Sequence, residues 1–499
     1  MKIAFVHPDL GIGGAERLVV DAAVGLQAQG HEVKIFTSRC DRTHCFEEVR
    51  DGTLEVVVKG DSIVPRSILN RFAIICAILR QLHLSLHLLR YESSSFDAVF
   101  VDQLAFCVPI LRLGLSAPQK SSVPSGSLAR YRKPAVTERL RTKVLFYCHF
   151  PDKLLATRSS LLRRIYRLPF DAIEAFSTGS ADVILVNSRF TRGVFKAEFP
   201  SIEALPTVVY PCVSPNMEVD DSICSAIKES RKSSVVSVNR FERKKGIELI
   251  IQSYAALSHY PQFSNTVLFV SGGYDCAVSE NVEYLKDLES LCDTLGLKHT
   301  TVFDLSSHVP KFARTIQASS VLFLPSVSSS ARNALISSSR VLAYTPINEH
   351  FGIVPLEAML LKTPVLATAS GGPLETVLEG MTGWLRDPDI LVWTPILKEI
   401  LFHMSDRELR DMGLQGHNFV CEKFSRAEMA SSIEKALLSA MDEEAHSSGR
   451  SFGGRDIAWI SVLAWMLYYC KYGFFLILPS FTEIVVGGSI VLVVYYMLF

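Results

Sequence analysis

The chain has 499 residues, room for two substantial cores and something further. Lysine plus arginine equals aspartate plus glutamate at 51 each, so no net field argues for nucleic acid or an acidic tail. Mean hydropathy is +0.24, high for a purely soluble enzyme, and asks where the surplus apolar residues sit. The eleven cysteines include no Cys-x-x-Cys pair. Cys40 and Cys45 flank His44, but no second ligand pair of zinc-like spacing follows, and reduced thiols in a cytosol-facing protein are the simpler account. The absence of an Asn-x-Ser/Thr sequon fits that side of a membrane. The apolar run Lys2–Val6 is too short for a signal peptide, so the mature protein is expected to begin near Met1.

From the amino terminus, Ile3–Val6 reads as a buried strand, Gly11–Gly14 as a loop, and Ala15–Gln29 as a helix with Leu18, Val19, Ala22, Ala23 and Leu26 inward. Gly30 closes that helix and Val33–Thr37 is the next strand. Such a βαβ opening predicts a parallel, doubly wound domain. A dinucleotide site fits poorly: Glu16 stands where a third glycine is needed, and Thr37–Arg39 offers no acidic residue for a ribose. Residues 65–91 are apolar but carry Arg71, Arg80, His83, His87 and Arg90, which argues against a membrane span. A basic amphipathic helix among lipid headgroups and a core-facing surface helix both fit. Asp97–Gln103 is another strand, and 115–137 reads as an exposed loop. Lys143–Cys148 then leads into His149. A histidine there sits where open α/β sheets bind ligands, although a satisfied core histidine would look the same. Val183–Asn187 is a further strand.

Proline-flanked Val208–Pro215 and the polar stretch to Ser234 form a linker, and Val235–Asn239 restarts the strand pattern. Arg240, Glu242, Arg243, Lys244 and Lys245 follow at once, a cluster that would repel itself unless solvated or neutralised by an anion. Leu268–Val270 runs into Gly272-Gly273, plausibly near a nucleotide. Tyr284–Leu295 is a helix, Val302–Phe303 and Val321–Leu324 are strands, and Ser328–Ser339 is a polar helix. Val341–Tyr344 is a buried strand closed by Thr345-Pro346. Gly352 would let backbone approach a ligand, and a helix from Val354 puts Leu356, Met359 and Leu360 on one face. Pro364–Ala367 leads into Gly371-Gly372 and Glu375. One βαβ unit thus sets Glu349 before a helix and Glu357 within its start, with orphan amides between them: an anion site beside two acceptors, as a sugar phosphate requires. Helices Glu408–Phe424 and Arg426–Met441 follow.

Past a Ser/Gly-rich stretch the composition changes. Residues 457–478 are apolar except for Lys471, and 484–499 are apolar throughout. The first could cross a core of ~30 Å and the second is slightly short, so a two-span hairpin and one span plus a re-entrant segment both fit. Trp459, Trp465, Tyr468 and Tyr469 suit an interface.

The spacing Glu349-x7-Glu357, within the run from Tyr344 to Met359, resembles retaining glycosyltransferases of the two-domain GT-B fold. It is most similar to the α-1,3/1,6-mannosyltransferases of the dolichol-linked oligosaccharide pathway. The resemblance covers roughly Met1–Met441. It implies an α/β protein of two Rossmann-like doubly wound domains facing a cleft, plus carboxyl-terminal membrane segments. Residues 1–212 would form the acceptor-side domain and 213–425 the nucleotide-sugar domain. Residues 426–445 would be a closing helix on the first domain, 446–456 a linker and 457–499 an anchor. The implied reaction moves mannose from GDP-mannose to dolichol-pyrophosphate-linked glycan, with α-1,3 and α-1,6 linkages, on the cytosolic face of the endoplasmic reticulum. Other transferases of that pathway are possible partners.

By the same resemblance, amides near Gly13 and Gly14 face the donor phosphates. Arg240 and Lys245 hold the diphosphate, helped by Phe351, Gly352, Ile353 and Val354, with Gly272 nearby. Glu357 binds the ribose, Glu349 the donor sugar, and His149 positions the sugar. Fixed cations suit the chemistry, since breaking the sugar-phosphate bond leaves charge on the departing group. No covalent nucleophile can be named, and a front-face route in which the leaving phosphate helps deprotonate the acceptor is implied. No metal or other cofactor is expected if lysine and arginine do the charge work. A relative using UDP-glucose or UDP-N-acetylglucosamine, or an idle membrane scaffold, remains an alternative.

Overall fold

The computed structural model describes residues 1–60, 64–65, 67, 73–92, 96–115, 141–155 and 161–446. The expected loop at 115–137 (apart from Leu115), the linker at 446–456 (apart from His446) and both carboxyl-terminal apolar segments lie outside the described residues. Among the described residues no helix is long and apolar enough to cross a membrane. The chain divides into two compact units. One comprises Met1–Asn187, Thr191–Tyr210 and the chain from Met429; the other comprises Ser188–Phe190 and Pro211–Glu428.

The first unit is built on strands β1 (Lys2–Leu10), β2 (Glu32–Cys40), β3 (Glu55–Val58), β4 (Ala98–Asp102), β5 (Lys143–Cys148), β6 (Val183–Val186) and β7 (Thr207–Val208). They form one parallel sheet in the order β3-β2-β1-β4-β5-β6-β7. Ile3, Ala4, Phe5 and Val6 are wholly buried, as are Val99 and Val101, which explains why these strands read as apolar runs rather than alternating ones. Helix α1 (Gly14–Ala28) follows β1, and its buried face includes all five residues named from periodicity. Helix α2 (Ala73–Tyr91) takes up most of the 65–91 stretch. Its Cys76, Leu82, Leu84 and Leu88 are buried in the core, and Arg80 reaches Asp9 at 3.2 Å, so the described part of that stretch is core-facing.

The second unit repeats the plan. Strands β8 (Ser233–Val238), β9 (Thr266–Gly272), β10 (His299–Thr301), β11 (Val321–Pro325), β12 (Val341–Tyr344), β13 (Val365–Thr368) and β14 (Gly383–Arg386) form a parallel sheet in the order β10-β11-β9-β8-β12-β13-β14. The strand expected at Val302–Phe303 lies just before them, at β10, where it pairs with β11. Its helices include α3 (Ser329–Ser337), α4 (Ile353–Leu360), α5 (Ile390–Lys398) and α6 (Asp406–Lys423).

In each sheet the winding reverses once. The first strand of the unit has its immediate successor on one side and a later strand on the other: β1 between β2 and β4, and β8 between β9 and β12. Loops leaving adjacent strands at such a reversal diverge to opposite faces and open a crevice at the carboxyl ends.

Candidate active site

In the first unit this reversal brings together three side chains. Parallel register sets Val6 beside Val101, so His7 lies level with Asp102, and β5 delivers His149 just past its last residue. The Asp102 carboxylate accepts from His7 Nδ1 at 2.9 Å and from His149 Nε2 at 2.7 Å. Burial opposes the charge of Asp102, which has no exposed surface, but the charge and hydrogen bonds of His149 and then His7 hold its carboxyl at about 2. His149 responds in the opposite sense. Burial works against its cation, and the Asp102 charge and hydrogen bond outweigh that and raise it above the ordinary histidine value. About a quarter (27%) of its side chain remains exposed, whereas that of His7 is wholly buried. His149 is therefore an oriented, readily protonated donor held by a fixed carboxylate.

Two more carboxyls stand nearby. Burial pushes Asp152 up to about 6 against the opposing charges of Arg167 and His149. Burial and then the Asp152 charge push Glu174 up to about 7, while its oxygens accept from the amides of Asp152 at 2.7 Å and Lys153 at 3.1 Å. Gly13 is the extended residue before α1; a Cβ there would come within 2.2 Å of the Glu16 carboxylate folded back over it. Around Gly14 nothing lies within 4 Å of a Cβ position.

In the second unit the reversal lies between β8 and β12, and the loops after those strands carry the charge. Lys245 Nζ donates to Glu349 Oε2 at 2.5 Å across 104 residues of sequence. The loops are tied by a second bond, from Thr345 Oγ1 to the Lys245 carbonyl at 2.7 Å. Arg240 pairs with Glu242 at 2.9 Å and is largely exposed. Two predicted site residues, Lys245 and Glu349, thus meet directly, while Arg240 has its own neighbour.

Gly352 takes a left-handed conformation (φ 82°) that begins α4, and no side chain caps that helix, so the amides at Ile353 and Val354 have no capping acceptor. The neighbouring loop presses on this one: Gly372 N donates to the Glu349 carbonyl at 2.7 Å, and a Cβ at Gly372 would fall 2.0 Å from the Phe351 carbonyl oxygen. Gly272 has a similar reason. Its Cβ would fall 2.0 Å from the Asn239 carbonyl oxygen, so its glycine is required by strand-end packing irrespective of any nucleotide.

Glu357 points one oxygen at Arg332, which donates from Nη2 to Oε1 at 3.2 Å; its Oε2 is buried without a partner. Burial raises the Glu357 carboxyl, with Arg332 opposing. Tyr344 is buried near both glutamates. Burial, followed by the charge and hydrogen bond of Glu349, keeps its phenol protonated well above the ordinary value. Glu375 is engaged elsewhere in the same unit, accepting from the amides of Arg189 and Phe190 at 2.9 Å each. The chain's single Asp-x-Asp triplet, Asp387-Pro-Asp389, serves the fold, because the Asp389 carboxylate caps α5 by accepting from Leu391 N at 2.9 Å. Among the described residues no group of three or more His, Cys, Asp or Glu is arranged to hold a metal ion.

Four contributors escape a reading of the sequence: His7, Asp102, Arg332 and Tyr344. The available signal for the first two was positional, since each lies at or near the carboxyl end of a strand flanking the reversal.

Comparison with known proteins gives one family. The model "Glycosyltransferase Family 4" matches residues 12–216 and "Glycosyl transferases group 1" matches residues 225–413. The chain is 47% identical to the alpha-1,3/1,6-mannosyltransferase alg2 of Schizosaccharomyces pombe, over 88% of this chain and 81% of that one. It is 46% identical to the alpha-1,3/1,6-mannosyltransferase ALG2 of Kluyveromyces lactis, over 80% and 77% respectively. Among solved structures, sucrose-phosphate synthase from Thermosynechococcus elongatus superposes with a TM-score of 0.61, at 18% identity, over 89% of this chain and all (100%) of that one. At that identity the likeness is one of fold, a GT-B-like pair of parallel α/β sheets.

Proposed function

We propose, from the premise that the chain belongs to the family of α-1,3/1,6-mannosyltransferases, that it moves mannose from GDP-mannose to dolichol-pyrophosphate-linked Man1GlcNAc2 and Man2GlcNAc2 with retention of configuration. The observation that carries this reading is the constellation at the β8/β12 reversal: Lys245 on Glu349, an uncapped helix start at Gly352, and a partnerless Glu357 oxygen. These are the cation, the amide donors and the hydroxyl acceptors that a nucleoside diphosphate sugar needs.

In the proposed reaction the diphosphate lies against the α4 amides and Lys245. An ammonium has three donors, so Lys245 can keep Glu349 and still donate to a phosphate oxygen. Arg240, already exposed, turns to the leaving group at little cost. Growing negative charge on GDP then meets fixed cations with little reorganisation. Glu349 holds the mannose hydroxyls and Glu357 the ribose. In the first unit, His149 offers a donor for a sugar hydroxyl, its Nε2 edge fixed by Asp102. With lysine and arginine carrying the charge, the step as proposed uses no metal, and the departing phosphate takes the acceptor proton. The apolar residues 457–499 support attachment to a bilayer, where a lipid-borne acceptor resides, and we place the enzyme on the cytosolic face of the endoplasmic reticulum.

Incubating the full chain with GDP-mannose and a synthetic lipid-linked monomannosyl acceptor, followed by linkage analysis, tests this directly. Di- and trimannosyl products with α-1,3 and α-1,6 linkages are expected. Turnover of UDP-glucose or UDP-N-acetylglucosamine in place of GDP-mannose would overturn the donor assignment.

A further inference from the structure

Glu357 is a carboxylate in a place that does not favour charge. It sits on α4 with most of its side chain covered, and one oxygen has neither solvent nor a protein partner. A buried carboxylate without compensation takes up a proton, and a protonated oxygen then donates where a bound hydroxyl needs an acceptor. The compensating group is Arg332.

Its position is well determined. Ser328 caps α3 by accepting from Ala331 N at 3.2 Å, and Arg332 N donates to the Ser328 carbonyl at 2.9 Å. Arg332 therefore stands on the first turn of that helix. Beside it, Asn333 Nδ2 donates to the Glu218 carbonyl at 2.8 Å, and its Oδ1 accepts from Arg332 Nη2 at 3.4 Å. The guanidinium is thus steered from both sides, toward Glu357 Oε1 at 3.2 Å. Other titratable groups on the elements around α4 do not replace it. Tyr344 on β12 stays a neutral phenol, His417 on α6 is bound to the Leu360 carbonyl at 2.8 Å, Glu375 accepts from two amides, and Lys245 is on Glu349. No titratable residue occurs on β13.

We infer that Arg332 is a positioning residue of the donor site: it holds Glu357 as a carboxylate with Oε1 engaged, which turns Oε2 toward the ligand as a hydrogen-bond acceptor for a sugar hydroxyl. The inference rests on the donor reading of Glu357 given above. Only one N–H···O contact is involved, so a lysine can supply the same charge without the guanidinium fork. Burial raises the Glu357 carboxyl and Arg332 opposes that. Removing the cation therefore lifts it further, and donor binding fails at a higher pH than in the wild type.

The test is steady-state turnover by the full chain of whichever nucleotide sugar the wild type uses, from pH 5.5 to 9, with the lipid-linked acceptor saturating. Arg332→Gln is expected to raise the donor KM on the order of tenfold at neutral pH and to leave kcat within about twofold. That deficit should shrink as pH rises, and Arg332→Lys should restore most of the affinity. In a Glu357→Gln background, Arg332→Gln should add nothing to KM, which keeps the test decisive if the single variant folds poorly. A KM rise independent of pH, a fall in kcat with KM unchanged, or additive effects in the double variant would each overturn the assignment. If the wild type prefers another nucleotide sugar, the GDP-mannose reading falls and the Arg332 comparison runs unchanged on that sugar. No turnover of any nucleotide sugar would overturn both.

Discussion

The two sheets are wound alike and both gather ionisable groups at the reversal, yet they treat charge in opposite ways. In the first unit Asp102 is fully buried and bridges two histidines, one of them also buried. In the second unit Lys245 and Glu349 keep 12% and 24% of their side chains exposed, and Arg240 keeps 62%. Removing one member from the bridge at Asp102 strands a charge with no access to water, whereas a pair whose two members both keep contact with solvent can be remade with another partner. The first constellation is a fixed platform. The second is an exchangeable surface, which is what meeting and releasing a highly charged diphosphate demands.

Substitutions can break that comparison. The largest effect is expected at Lys245→Ala, with turnover falling about 10²–10³-fold while the thermal melt stays near wild type. Near-normal turnover would shift the leaving-group charge to Arg240 alone. Asp102→Asn should instead act on the fold itself, destabilising by about 3 kcal/mol in urea unfolding. Its pH dependence has two limbs. Asp102 lies below its ordinary 3.8, so its contribution is full above that value and disappears as pH falls toward 2. His149 lies above its ordinary 6.5, so its contribution is full below 6.5 and is lost as pH rises through the folded value. The gap between wild type and Asp102→Asn should be widest between those two values, and a gap that stays flat up to pH 9 would refute the bridge.

Glycines sharpen the contrast further. Gly372→Ala puts a Cβ 2.0 Å from the Phe351 carbonyl oxygen and should cost about 1–3 kcal/mol, with a raised donor KM as the Glu349–Gly352 loop shifts. Unaltered stability and KM would mean the two loops move independently. The smallest structural effect belongs to Gly14→Ala, where nothing lies within 4 Å and stability should change by less than about 0.5 kcal/mol. A larger shift in urea unfolding would mean that the start of α1 tolerates a methyl group less well than the open space around Gly14 implies.

The donor half was the legible half. Lys245, Glu349 and Glu357 stand in short loops and a helix start directly after apolar strands, so periodicity and residue type expose them within one stretch of chain. His7 and Asp102 each follow directly on a four-residue apolar run, 95 positions apart, and only the order of strands in the sheet brings them together. Arg332 sits in a serine-rich helix with nothing in its spacing to mark it. Gly272 was read as a neighbour of the nucleotide, but close approach to Asn239 already accounts for it. Local signals thus located the residues whose chemistry is local, and missed those whose roles arise from register and crossover.

One consequence concerns the order of synthesis. The first unit begins at Met1 yet includes the chain from Met429, where Gln29 Nε2 donates to Ser431 Oγ at 2.8 Å and His31 meets Glu434 at 3.1 Å. At ribosomal rates of about 5–20 residues per second, these partners emerge roughly 20–80 s apart. The nascent first unit therefore waits, incomplete, through the making of the whole second unit. Chaperone dependence should accordingly fall on the half of the protein that is made first.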